Sequence, residues 1–234
     1  MSRKIFKAAS LRASDLGERG NLQLISRLLR SCAGAQLSII LAGMSKGRLE
    51  AFSDGVIAIL ITIMVLELKI PHSADFAALS GLTPVFLSYL LSFIFLGIYW
   101  NNHHHLWQAA KHVNGAVLWA NLHLLFWLSL IPFVTGWMGE NEFARLPVAL
   151  YGIVMWMAGF AYYILTQTLM SLHGNDSLLT TALGRRFKEI MSLVCYTIAI
   201  LLAFINTGIS LAIYVFVAGI WLVPDTRIEK TLGR

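Results

Sequence analysis

Residues 48–68 read RLEAFSDGVIAILITIMVLEL. Gly55 to Leu66 is an unbroken run of twelve uncharged residues, with Ser53 and Asp54 ahead of it and Glu67 and Lys69 behind. With its polar ends the stretch is about twenty residues long, enough to cross a ~30 Å hydrocarbon layer at ~1.5 Å rise per residue. Asp54 falls about one turn inside, where hydrocarbon penalises an ionised side chain by roughly 2.5–3.5 kcal/mol or more. It must face protein or water, so the reading predicts a helix packed among others.

The rest of the chain repeats the pattern. Of its 234 residues 57% are hydrophobic and only 13% charged, with mean hydropathy +0.69, which is not the composition of a soluble domain. The charges leave long gaps: 35 residues between Asp75 and Lys111, 28 between Lys111 and Glu140, 30 between Arg145 and Asp176, and 35 between Glu189 and Asp225. Gaps of that length are what membrane helices need. Asn206-Thr207-Gly208 is a turn signal inside the last gap and splits it into two short spans. The expectation is an all-α integral membrane protein with six spans, near 49–69, 84–107, 114–138, 146–170, 187–205 and 208–223. They form one six-helix unit over 47–225, between a basic tail at 1–46 and a short basic tail at 226–234.

Charge gives the orientation. With both termini cytoplasmic, 16 of the 18 Lys and Arg residues lie inside and only Lys69 and Arg145 outside, the positive-inside pattern. The net charge of +6 is thereby topological, and nucleic-acid binding is not expected. Within the N-terminal tail Leu22, Ile25, Leu28, Leu29 and Cys32 recur at helical spacing, as in a helix lying on the inner surface; a translation start at Met44 is the plainer alternative. Cys32 and Cys195 make neither a disulfide framework nor a zinc spacing.

Pro132 inside the third span should kink or open that helix and leave the carbonyl of Leu128 without its usual donor. On a helical wheel Ile59, Ile63 and Leu66 form one stripe, with Thr62 on its flank and Gly55 at its inner end. Asp54 falls roughly 140° from Ile59. The stripe either lines a pore or packs against helices and lipid, and periodicity alone favours plain packing because the helix is apolar nearly all round. The second span ends in YWNNHHHLW. Three consecutive histidines point about 100° apart and cannot converge on one metal ion. Polar contact suits them better: His103 or His104, with Asn102, can reach the Ser53–Asp54 end of the first span, and Asn121 and His123 of the third can join them. No phosphate-binding loop, nucleophile–base pair or TVGYG filter is present, so an enzyme is not expected and no cofactor is implied. A proton-coupled transporter is the alternative, weakened by the lack of inverted repeats.

The motif RxxxFSDG (Arg48, Phe52, Ser53, Asp54, Gly55) resembles the lysosomal and bacterial potassium-channel family named after transmembrane protein 175. The likeness continues through Trp100, Asn102, His103 and His104, and through Asn121, Pro132, Phe133 and Thr135. It implies a homotetramer in a bacterial cell (inner) membrane that conducts potassium, with some passage of other monovalent cations or protons. The first helix of each subunit lines the central pathway. It also implies a hydrophobic constriction at Ile59, Ile63 and Leu66, a selectivity layer at Thr62, and a polar scaffold from the FSD residues and the span-two histidine. Ala58 stands where some relatives carry Ser, which implies weaker selectivity.

Overall fold

The computed structural model describes residues 45–174 and 187–222, and every regular element among them is a helix. In chain order these are α1 (Lys46–Leu66), α2 (Phe76–Ser80), α3 (Thr83–Ala109), α4 (Gly115–Ser129), α5 (Ile131–Glu140), α6 (Arg145–His173), α7 (Phe187–Ala203) and α8 (Thr207–Leu222). The expectations for the N-terminal tail, the start at Met44 and the C-terminal tail lie outside the described residues.

Each helix start has a local cause. Asn114 Oδ1 accepts from the Val117 amide at 3.0 Å and opens α4, while Asn206 Oδ1 accepts from Gly208 at 2.9 Å and opens α8. Pro84 occupies the first turn of α3, where a missing N–H is harmless. Asp75 caps the short α2 through the Ala78 amide, and that hydrogen bond holds its carboxyl below the usual range. The charge-gap reading passed over α2, because five residues are too few for a periodic signal.

Four stretches are long and apolar enough to cross a membrane: α1, α3, α4 with α5, and α6. The third is broken. α4 ends at Ser129, the Leu130 amide turns back to the Trp127 carbonyl at 3.3 Å, and Pro132 lies in the first turn of α5. The interruption at the proline is the one its chemistry predicts. Thr135 Oγ1 donates to the Ile131 carbonyl at 2.7 Å just beyond it. α7 and α8, at 17 and 16 residues, pack on each other as a shorter pair.

Inside a bilayer, helices associate through close packing and polar ties more than through hydrophobic transfer. α6 is the hub: it packs against α4, α5, α7 and α8, with Val148, Tyr151, Met155, Ala158, Leu165 and Leu169 all buried. Ser92 of α3, Thr135 of α5 and Tyr151 of α6 form a buried hydroxyl chain, with 2.6 Å between Ser92 and Thr135 and 3.2 Å between Ser92 and Tyr151. Ser92 Oγ donates to Tyr151 Oη, and between Ser92 and Thr135 either hydroxyl fits as the donor. On the outer side of the expected topology, Lys69 pairs with Glu140 at 2.6 Å, and the hydrogen bond and charge of Glu140 raise the Lys69 ammonium above its ordinary value.

Candidate functional site

α1 has two unlike faces. Leu49, Ser53, Ile57, Leu60 and Met64, spaced four or three apart, are buried against α3, α4 and α5. The other side carries Phe52, Gly55, Ile59, Thr62, Ile63 and Leu66, all exposed on the single chain. Ile59 is 57% exposed, Ile63 39% and Leu66 80%, although these are among the most apolar side chains of the helix. Thr62 Oγ1 donates its proton to the Ile59 carbonyl at 2.8 Å. Its oxygen therefore keeps only lone pairs to offer outward, which suits a cation and not an anion.

The buried face is anchored by a directional hydrogen-bond chain. Ser53 Oγ donates to the Leu49 carbonyl at 2.9 Å, and Asn121 Nδ2 donates to Ser53 Oγ at 2.9 Å. Asn121 Oδ1 lies 2.8 Å from His103 Nε2 and can only accept, so the imidazole carries its proton there. Trp107 Nε1 lies 2.8 Å from His103 Nε2 and 3.1 Å from Nδ1. With Nε2 committed to Asn121, Nδ1 is the acceptor. Ser53, His103 and Asn121 are each 1% exposed or less. Five residues on three helices are tied by this chain, and it closes only with a neutral imidazole.

The remaining polar residues go elsewhere. Asn102 donates back to the Ile98 carbonyl of its own helix at 2.8 Å. His104 stacks on Trp100, meets Gln108 Nε2 at 2.8 Å, and lies 3.3 Å from Glu50. His103 and His104 thus reach different partners, as consecutive helical positions require. Asp54 is partly buried, and its Oδ1 has no hydrogen-bond partner among the described residues, so neither His103 nor Asn102 reaches it. Arg48 is exposed at the start of the same helix. His123 accepts from Trp127 at 3.0 Å and stays outside the chain of bonds.

Sequence reading missed Glu50 and Trp107. Glu50 is one turn before Asp54, and Trp107 one turn after His103, so the i, i+4 relation was the available signal. The Ser92–Thr135–Tyr151 chain offered none, because hydroxyls 43 and 59 residues apart meet only through packing.

The family model for the endosomal/lysosomal potassium channel TMEM175 matches residues 48–132, which holds α1 through the proline break. A potassium channel of Chryseobacterium sp. (strain P1-3) is 54% identical over 189 residues, covering 81% of this chain and 98% of the relative. The human endosomal/lysosomal proton channel TMEM175 is 30% identical over 185 residues, covering 70% of this chain and 36% of the human protein. The crystal structure of a lysosomal potassium-selective channel TMEM175 homolog from Chamaesiphon minutus is similar with a TM-score of 0.66 at 26% identity, over 77% of this chain and 97% of that one. Carried by the motif on α1 and by a relative that it matches almost end to end, the chain belongs to the TMEM175 family of ion channels.

Proposed function

We propose that this protein is the subunit of a passive, potassium-conducting channel in a bacterial cell membrane, a homotetramer in which α1 of each subunit faces the ion path. It crosses the bilayer six times, with both ends on the cytoplasmic side. Ile59, Ile63 and Leu66 form successive apolar constrictions, Thr62 supplies a ring of oxygen lone pairs, and Arg48 stands at the inner mouth. Within the motif and its neighbours, Ser53, His103 and Asn121 make the polar scaffold that sets the rotation of α1, with Phe52, Asp54, Gly55, Asn102 and His104 flanking it.

The observation that carries this reading is the opposition of the two α1 faces. Ser53 is fixed to Asn121 and His103 on one side while Ile59, Ile63 and Leu66 remain uncovered on the other. The tie fixes which face of α1 is left uncovered, so every copy turns the same stripe outward. Apolar rings of this sort gate by excluding water, and widening lets a partly hydrated ion through. Names of relatives on both the potassium and the proton side leave a second permeant ion to be tested in the same recording.

Single-channel recording in a planar bilayer under a potassium/sodium gradient is the direct test. The expected outcome is a reversal potential displaced toward the potassium equilibrium value, with current in either direction and no coupled ion. Flux that requires a proton gradient would replace the channel by a transporter.

A further inference from the structure

On the inner side of the expected topology, residues 110–114 join α3 to α4. The ladder of α3 closes with the Ala110 amide on the carbonyls of Leu106 and Trp107, at 3.1 and 3.2 Å. The next two amides lie beyond it and need an acceptor from elsewhere. They find one in His173, the last residue of α6, 62 positions from Lys111 along the chain. The Lys111 amide lies 2.9 Å from His173 Nε2 and the His112 amide 3.2 Å. On its other side the ring reaches back one turn, with Nδ1 2.8 Å from the Leu169 carbonyl.

Backbone partners leave no choice of proton. A carbonyl only accepts, so Nδ1 carries the hydrogen; amides only donate, so Nε2 offers its lone pair to both. The arrangement exists only for a neutral imidazole in that one tautomer. A further proton would fall on Nε2 itself, where it would face two N–H dipoles and leave two amides without their acceptor. The bond from Nδ1 to Leu169 is kept in either state, and the C-terminal end of a helix favours a cation. Charging the ring therefore holds it on α6 and sets it against the segment. His112 lies face to face with His173, ring centroids 5.2 Å apart and planes 6° apart, so a proton on both would bring like charges together.

We propose that His173 is an acid-released latch: neutral, it clasps the α3–α4 segment to the end of α6, and protonation at Nε2 lets that segment go. His112 is exposed and His173 half-buried, so protons reach both from solvent. Lys111 is the one fixed charge of the segment, and α6 carries no Asp, Glu, Lys or Arg after Arg145. Of the neighbouring helices, α4 has no ionisable residue before His123, α3 ends with His104 and His105, and α7 begins with Lys188 and Glu189. Glu50 of α1 lies 3.3 Å from His104. The segment joins the two helices that carry His103 and Asn121, so its release bears on the anchor of α1. The latch itself takes no residue from α1 and is tested without an ion current.

The test is hydrogen exchange by mass spectrometry on the full-length protein in detergent, at about pH 8 and about pH 6, either side of the ordinary histidine range. Each rate is divided by that of the same peptide unfolded at that pH. Peptides covering Lys111 and His112 should lose protection by about tenfold or more in acid, while those from the middle of α6 keep theirs. His173→Ala should exchange fast in this segment at both pH values. His112→Ala keeps the His173 ring and both backbone amides, and should retain the step. Equal protection of the parent at the two pH values, an equal loss throughout α6, or a step that survives His173→Ala overturns the proposal. A step that vanishes in His112→Ala overturns it too, even where His173→Ala fails to fold.

Discussion

α1 and α6 are both long apolar helices, yet 56% of the apolar window of α6 is buried in the chain against 28% for α1. The more apolar of the two is the less buried. α6 is surrounded by four helices, so its small residues serve close approach: a Cβ at Gly152 would overlap the Tyr214 hydroxyl and crowd Ile200. α1 is held on one face only, and a Cβ at Gly55 meets nothing within 4 Å. Hydropathy reports transfer out of water and is blind to whether the new neighbour is this chain, another copy or lipid. The two helices differ in what they are apolar for.

Two glycines give the largest test of that difference. Gly152→Ala should destabilise the protein by about 1–3 kcal/mol, the usual cost of overpacking a filled core, seen as a lowered melting temperature in detergent. Gly55→Ala should not lower the melting temperature of the dissociated subunit, and the better helix propensity of alanine should raise it slightly. Equal losses would mean that α1 is as enclosed as α6 and would break the comparison.

The polar anchor comes next. His103→Ala strands Asn121 Oδ1 in the bundle and should cost about 1–3 kcal/mol. Asn121→Ala should cost no less, because it strands both His103 and Ser53. A double variant whose loss equals either single one indicates a single coupled chain, whereas strict additivity would dissolve it.

Ile59→Ala sharpens the other face. With little packing to lose inside the subunit, its stability should change by less than about 0.5 kcal/mol. Current should nonetheless rise, and the reversal potential under a potassium/sodium gradient should fall toward zero. Unchanged conductance and reversal potential would take Ile59 out of the ion path.

The smallest effect belongs to the Lys69–Glu140 pair at the surface. Because Lys69 is raised in the folded state, whatever stability the pair gives is complete below the ordinary lysine range and disappears only as pH climbs past the raised value. Lys69→Gln should therefore lose the whole of that small surface contribution at neutral pH and converge with the parent at a pH above the raised value, and added salt should shrink the difference.

Much of the helix layout was legible in the residues. Charge gaps marked the apolar runs, Pro132 marked the break between α4 and α5, and Asn206 marked the turn before α8. These are local effects: a missing N–H, a side chain that caps, a run with nothing to solvate. The polar anchor was legible in composition and not in pairing. The residues at Ser53, His103 and Asn121 stood out as polar in apolar runs, but Asn102 and Asp54 stood out equally and took no part in the chain of bonds.

Sequence by itself therefore determined that this is a bundle of apolar helices, that the third span breaks at its proline, and, through the motif on α1, which family they belong to. Only tertiary structure decided which carbonyl, hydroxyl or imidazole each buried polar group meets, and which side of α1 is left uncovered. The reason is range. Propensity and hydropathy act on neighbours along the chain, whereas the bond between Asn121 and Ser53 joins residues 68 apart and exists only once three helices have been packed in register.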